Sequence, residues 1–164
     1  MKLIKDKDYI KAHNLEYTRS YIAVHEGRRK CAYIDSKGNR TIGIGHKMVN
    51  GDCIPDVLEN EEIDDLFDMD LEEKMKLAKK LFPKLDTYPD YVFAAIMDGI
   101  FRGDLSGSPK TSKLINAGKW KEASIEYLNN KEYANAIKNN MLGIYKRMTE
   151  NSYQFLQYSK ALKE

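Results

Sequence analysis

All of the β-type patterning in this chain of 164 residues is confined to one short region, and helical patterning occupies the rest. Residues 31–35 and 41–46 are rich in β-branched and aromatic side chains and alternate with period 2, which predicts two strands. Residues 36–40 lie between them and contain a glycine, which is typical of a hairpin loop. Residues 49–57 predict a short third strand or an irregular edge. The sequence therefore favours a mostly helical α+β protein with one small sheet.

The longest helical pattern runs over residues 60–81, where Asn60 is suited to cap the start and Pro83 follows the end. An earlier helix is predicted over residues 6–28. Its apolar positions are Ile10, Tyr17, Tyr21 and Val24. Further helices are predicted at about 89–101, 111–117, 119–129, 132–142 and 144–160, with Trp120, Ile137 and Met141 among their apolar residues.

These elements predict a single domain over residues 1–164, built from two lobes and a helix between them. The small α+β lobe covers residues 14–59, the connecting helix covers 60–81, and the larger helical lobe covers 82–164. A cleft between two lobes is a natural place for a ligand.

Charge is nearly balanced over the chain but unevenly distributed. The 27 basic and 25 acidic residues give a net charge of +2, which argues against a nucleic-acid-binding or membrane-surface protein with a large charge of one sign. Eleven acidic residues and no basic ones lie between Asn50 and Glu73, so the remainder of the chain is positive. Residues 110–164 hold ten basic and five acidic residues scattered around helices, so we expect no nucleic-acid partner.

The sequence gives no sign of a membrane span, a secretory signal, a metal or a cofactor. No apolar run approaches the ~20 residues that cross a membrane, and the N-terminal residues lack the apolar segment of a signal peptide. Stable membrane insertion is therefore not expected. Cys31 and Cys53 are expected to be free thiols. The three histidines, His13, His25 and His46, have no metal-ligand spacing.

Two carboxylates nine residues apart are the main candidates for chemistry. Glu26 ends the first helix in mostly apolar company, where burial favours a protonated carboxyl group, whereas Asp35 lies at the lip of a polar loop and stays ionised. Such a pair suits the acid and base roles of glycosidic hydrolysis. A five-residue loop places Thr41 opposite Asp35 on one face of the hairpin, where the two side chains hold one water. A four-residue loop puts them on opposite faces.

One string of residues carries a family resemblance. Glu26 and Gly27 are followed by Tyr33 and Asp35, and then by the segment Thr41–His46, which reads Thr-Ile-Gly-Ile-Gly-His. The identities and spacings together closely resemble those of the phage-type lysozymes, the muramidases of glycoside hydrolase family 24.

The resemblance extends loosely through most of the chain. It covers roughly residues 14–158, and residues 1–13 look like an N-terminal extension. The loop at residues 103–111 departs from the family pattern, which affects the contacts expected on the substrate side.

The resemblance implies hydrolysis of the β-1,4 bond between N-acetylmuramic acid and N-acetylglucosamine in bacterial peptidoglycan, with inversion at the anomeric carbon. It places Glu26 as the general acid, Asp35 as the carboxylate that activates or stabilises, and Thr41 as the hydroxyl that positions water. For an inverting enzyme, we expect the two carboxyl groups to be about 6.5–9.5 Å apart.

Other candidate residues have structural alternatives. Asp70 lies on the apolar face of the 60–81 helix and needs a partner, so we expect a structural pair between His46 and Asp70. The resemblance implies that Arg147 pairs with Glu26 and tunes it; the alternative is a solvated helix arginine. Phe101 and Arg102 are expected to line the cleft and bind substrate, although Phe101 equally suits the core.

The implied partner is the peptidoglycan glycan strand, and the expected state is a monomer. The resemblance implies synthesis in the host bacterial cytoplasm and action on the cell wall after holin-type release, or delivery by a virion. A second interpretation keeps the fold without turnover, as a non-catalytic peptidoglycan-binding or virion structural module. The presence of Glu26, Asp35 and Thr41 argues against it.

Overall fold

A computed structural model describes residues 15–163, which form seven α-helices, one short 3-10 helix and a three-stranded antiparallel sheet. In chain order the elements are α1 (Leu15–Glu26), β1 (Arg29–Ile34), β2 (Arg40–Gly43), β3 (His46–Lys47), α2 (Asn60–Leu81), the 3-10 helix (Leu85–Thr87), α3 (Asp90–Arg102), α4 (Pro109–Asn116), α5 (Trp120–Tyr127), α6 (Lys131–Lys138) and α7 (Leu142–Ala161). The α+β, mostly helical class predicted from the sequence is confirmed.

Helix α1 packs against α3 with a different face from the one predicted. The buried residues of α1 are Thr18, Tyr21 and Ile22. Val24, expected on the apolar face, is 79% exposed, because it lies on the side of the helix turned away from this packing. The helix ends at Glu26, where Gly27 takes a φ of 77°. The part of the prediction covering residues 6–14, Ile10 included, lies outside the described residues.

The sheet has the strand order β1-β2-β3, and each neighbouring pair is antiparallel. The prediction of one strand over residues 41–46 is wrong, because Gly43 and Gly45 take positive φ angles of 66° and 69° and turn the chain back on itself. His46 therefore begins a third strand. Of the two alternatives for residues 49–57, the irregular edge is the correct one, since the β pairing of this segment in the described part of the chain is the isolated bridge of Val57 with Cys31 of β1.

Helix α2 has the predicted bounds and connects the sheet to the helical part of the protein. Its buried residues form one face: Ile63, Leu66, Phe67, Asp68, Leu71, Met75 and Ala78. The expected cap is wrong by one residue. Glu59 takes the N-cap position, and its N–H donates to the Glu62 side chain at 3.0 Å, so Asn60 is the first helical residue. Helix α2 contacts β2, β3 and α3.

Helix α3 lies at the centre of the helical part, with every residue from Val92 to Ile100 buried. Helices α1, α2 and α7 pack around it. Trp120 of α5 contacts Tyr88, Phe155 and Tyr158 in an aromatic cluster. Two apolar residues predicted to pack are instead exposed, Ile137 by 54% and Met141 by 46%. Helix α6 buries Ala136 instead of Ile137, and Met141 lies between α6 and α7.

The described helices include none with the length and apolar character needed to cross a membrane.

Candidate active site

A cleft lies where the end of α1, the β1–β2 hairpin, the end of α3 and the start of α7 meet. It encloses a volume of about 330 Å³. Six of the residues predicted from the sequence line it: Glu26, Asp35, Thr41, Phe101, Arg102 and Arg147. The other two, His46 and Asp70, line an adjoining cavity of about 230 Å³. The two cavities share Gly45, Lys47 and Phe101, so the cleft continues past these residues.

Glu26 meets a guanidinium group instead of the apolar surroundings expected from its neighbours in sequence. Its Oε1 lies 2.8 Å from Nη1 of Arg147, and its side chain is 26% exposed. A Cβ added to Gly45 would lie 2.7 Å from Glu26 Oε2. Gly45 therefore serves two needs, a positive φ and close approach of the backbone to the Glu26 carboxyl group.

Arg147 is buried, so the interpretation of a solvated helix arginine is wrong. Its Nε donates to both carboxylate oxygens of Asp98 at 3.0 Å, and its Nη2 donates to Asp98 Oδ1 at 2.7 Å. Burial lowers the pKa of Arg147, but the hydrogen bonds and charge of Asp98 and the charge of Glu26 outweigh burial and raise that pKa overall. Arg147 is consequently a permanent cation between two carboxylates.

Asp98 was missed in the sequence analysis. It is fully buried on α3 and accepts a further hydrogen bond from Asn151 Nδ2 at 2.7 Å. The signal that identifies it is the one applied to Asp70: a carboxylate inside an apolar helical run requires a charged partner. Asp104 was missed as well; it accepts hydrogen bonds from Arg102 Nε at 3.1 Å and from the Tyr127 hydroxyl at 2.8 Å.

Asp35 is held by the hairpin loop that follows it. Its Oδ1 accepts the backbone N–H groups of Lys37 at 2.9 Å and Asn39 at 2.8 Å, and its Oδ2 accepts the Asn39 side-chain amide at 3.2 Å. These hydrogen bonds, the Asn39 backbone one foremost, hold the pKa of Asp35 below its usual value. The carboxylate is therefore ionised at neutral pH, as expected for a polar loop.

The register of the hairpin places Thr41 opposite a residue other than Asp35. Thr41 lies opposite Tyr33, and the N–H of Asp35 donates to the Asn39 carbonyl at 2.9 Å. Asp35 is therefore paired with Asn39, not with Thr41. Because side chains alternate along a strand, Asp35 and Thr41 still share one face, as diagonal neighbours. The Thr41 hydroxyl is buried and donates to the Asn39 carbonyl at 3.0 Å.

His46 and Asp70 form an ion pair between β3 and α2. His46 Nδ1 lies 2.8 Å from Asp70 Oδ2, and His46 Nε2 lies 3.4 Å from Oδ2 of Asp52, a partner not foreseen from the sequence. The hydrogen bond with Asp70 raises the pKa of His46, and burial only partly opposes it. The pair fixes the sheet to the connecting helix beside Gly45.

Phe101 and Arg102, at the end of α3, both line the cleft and both make contacts behind it. The Phe101 ring stacks on Phe67 with centroids 5.5 Å apart, so it belongs to the core and to the cleft wall at once. Arg102 donates to Asp104 and forms an ion pair with Glu132 of α6. The guanidinium is thereby fixed at the cleft rim.

Cys31 and Cys53 are exposed free thiols. Residues 15–163 contain no group of three His, Cys, Asp or Glu side chains that could hold a metal ion.

Two carboxylates in one cleft, one of them held ionised, are the arrangement that glycoside hydrolases use. A comparison with family models finds a match to Phage lysozyme over residues 23–151, which is most of the chain. The chain belongs to the phage lysozyme family. Membership supports a peptidoglycan-lytic lysozyme activity exerted on the bacterial cell wall. A comparison with curated proteins finds no match.

Proposed function

We propose that the chain hydrolyses the β-1,4 glycosidic bond between N-acetylmuramic acid and N-acetylglucosamine in peptidoglycan, with inversion at the anomeric carbon. The observation that carries the proposal is the contrast between two carboxyl groups in one cleft. Asp35 accepts three hydrogen bonds that favour its ionised form, whereas Glu26 has Oε1 at Arg147 and Oε2 against Gly45. The two carboxyl groups therefore have different partners in one cleft, which supports different roles for them in the reaction.

Glu26 acts as the general acid in this proposal. Its Oε2 carries the proton and delivers it to the glycosidic oxygen as the bond from that oxygen to the anomeric carbon breaks. The carboxylate formed by this transfer is stabilised by Arg147 Nη1, which lies 2.8 Å from Oε1. Arg147 therefore acts mainly after the proton has left.

Asp35 and Thr41 position the water that attacks from the opposite side of the sugar. The Thr41 hydroxyl donates its hydrogen to the Asn39 carbonyl. The Thr41 Oγ1 atom therefore accepts one hydrogen bond from the water, and Asp35 accepts the second. As the water oxygen bonds to the anomeric carbon, its proton passes to Asp35. The lowered pKa of Asp35 makes it a weak base, which suits proton transfer late in the reaction and stabilisation of the cationic sugar.

The remaining predicted residues have supporting roles in the proposal. Phe101 offers an apolar surface to the sugar rings, and Arg102 offers donors at the rim of the cleft. His46 and Asp70 have a structural role, since their pair joins β3 to α2.

The proposed substrate is the peptidoglycan glycan strand, and the proposed acting form is a monomer of two lobes, residues 14–59 and 82–164, joined by the 60–81 helix, with residues 1–13 as an extension. We propose that the protein is made in the host cytoplasm and reaches the wall after holin-type release or as part of a virion.

The test is the clearing of chloroform-permeabilised Gram-negative cells by wild type and by Glu26→Gln and Asp35→Asn. Glu16→Gln is the matched control, because Glu16 is an exposed glutamate on the same helix. We expect Glu26→Gln to reduce the rate by about 10²–10⁴-fold and the control to leave it unchanged. Product analysis is expected to give free reducing ends and no anhydro sugar.

Two outcomes contradict the proposal. Equal clearing by wild type and Glu26→Gln removes the role of Glu26. Binding of peptidoglycan by wild type without any clearing favours a non-catalytic module of the same fold.

A further inference from the structure

We propose that Asp98 is a positioning residue for the reaction and acts on Glu26 through Arg147. The Asp98 carboxylate fixes the orientation of the Arg147 guanidinium and offsets much of its positive charge, so that Glu26 can carry a proton. The inference rests on the proposed function. It assigns a role to a residue that does not line the cleft.

The hydrogen bonds fix which edge of the guanidinium faces Glu26. Nε and Nη2 of Arg147 both donate to Asp98, and Nη1 lies 2.8 Å from Glu26 Oε1. Turning the guanidinium to present a second donor to Glu26 would break the bidentate contact inside the protein, where a carboxylate without its partner is strongly disfavoured. Asp98 therefore fixes which edge of the Arg147 guanidinium faces Glu26.

Asp98 is itself held in place by a network of satisfied polar groups. Asn151, fully buried, donates to Asp98 Oδ2 at 2.7 Å and to the Tyr127 hydroxyl at 3.1 Å. The Asn151 oxygen accepts the Tyr21 hydroxyl at 2.8 Å. This network joins α1, α3, α5 and α7 directly behind the cleft, so the position of the Asp98 carboxylate is set by four helices at once.

The electrostatic part of the argument concerns how the Arg147 charge is shared. With Asp98 present, the cation lies between two carboxylates. With a neutral group at position 98, no negative charge at Asp98 offsets the positive charge of Arg147, so the electrostatic potential at Glu26 becomes more positive. The other titratable groups around the Glu26 cavity are unchanged by the substitution: Tyr33, Asp35, Lys37, Lys47, Arg102 and Glu132.

The test is Asp98→Asn, followed by kcat, KM and the pH profile of hydrolysis. We expect the alkaline limb of the profile, which reports loss of the acid's proton, to move down by about one pH unit. We expect kcat to fall by about tenfold or more with KM little changed, because the reacting groups and not the sugar contacts are affected.

Asp68→Asn is the matched control. Asp68 is also a buried carboxylate bound by an arginine, whose Nη2 donates to both of its oxygens (Arg19, 2.9 and 3.1 Å), but it lies on α2 outside the cleft. We expect this variant to be less stable and to keep the wild-type pH profile. A purely structural role for Asp98 predicts the same behaviour for both variants, and that result would overturn the inference.

If Asp98→Asn does not fold, the double variant Asp98→Asn/Asn151→Asp carries the test. It exchanges the two groups across their hydrogen bond, keeps the total charge and still puts a neutral amide against Arg147. A downward shift of the alkaline limb supports the inference, and a wild-type profile refutes it. If the wild-type protein shows no hydrolytic activity, the proposed function is refuted. Failure of the proposed function is thereby distinguishable from failure of the inference about Asp98.

Discussion

Replacing Gly45 by alanine tests how closely the Glu26 carboxyl group must be placed. Gly45 has a φ of 69°, and an added Cβ would lie 2.7 Å from Glu26 Oε2 and 2.9 Å from its Cδ. Gly118 is the matched control, because its φ is 74° and a Cβ there would meet nothing within 4 Å. The two substitutions impose the same backbone strain, but only the one at Gly45 displaces Glu26.

The expected magnitudes follow from this comparison. A left-handed conformation costs an L-residue with a Cβ about 1–2 kcal/mol. For a chain of this length that corresponds to a fall in Tm of about 2–8 °C in either variant. Ordinary contact distances of about 3.5 Å or more require the Glu26 carboxyl group to move by roughly 1 Å in Gly45→Ala. A misplacement of that size costs about 10²-fold in rate.

The assay is hydrolysis of peptidoglycan well below both melting temperatures, with Tm measured on the same samples. We expect Gly45→Ala to lose about 10- to 100-fold in rate and Gly118→Ala to remain close to wild type. Wild-type activity in Gly45→Ala, or an equal loss in both variants, would refute the assignment of Glu26 as a closely positioned acid.

Three further substitutions have defined outcomes. Asp70→Asn removes the partner that raises the pKa of His46. The stabilisation from this pair is present below the unfolded-state pKa of histidine and is lost as the pH rises through the folded-state pKa. Thermal denaturation should therefore show a loss of about 2 kcal/mol at about pH 5.5 and a smaller loss at about pH 9, and equal losses would contradict the pair. Asn39→Ala removes one of the hydrogen bonds that lower the pKa of Asp35, so the acid limb of the pH profile should move to higher pH, whereas an unchanged limb would argue against Asp35 as the ionised group. Thr41→Val keeps the volume of the side chain but removes the hydroxyl, so the rate should fall by about tenfold or more with little change in Tm. Wild-type activity in this variant would contradict the role of the Thr41 hydroxyl in positioning the water.

The elements predicted correctly are those determined by a long local pattern. The apolar face of residues 60–81 and the proline that follows them give the bounds of α2. Short elements were less predictable, because the two glycines in the 41–46 segment are compatible with a strand until their positive φ angles are known.

The contacts of the candidate site were predictable only in part: the pair of His46 with Asp70 and, through the family resemblance, that of Arg147 with Glu26 are present, whereas the contact of Arg147 with Asp98 was not foreseen. The motif residues from Glu26 to His46 lie within one short segment of the sequence, so their identities and spacings could be compared with a family pattern as a set. The partner of Glu26 comes from α7 and depends on the packing of α7 on α3, which no local pattern describes. Asp98 was within reach of the sequence, since a carboxylate among the apolar residues of α3 requires a cation, as Asp70 did on α2.

The central claim is that Glu26 and Asp35 act from opposite sides of the sugar with a water between Asp35 and the anomeric carbon. The most direct measurement is proton NMR of the first product formed from a short peptidoglycan-derived oligosaccharide, recorded before the sugar equilibrates. The account predicts that the new reducing end appears first as the α-anomer. Initial appearance of the β-anomer would mean net retention of configuration, which requires two successive displacements at the anomeric carbon, and would contradict the account.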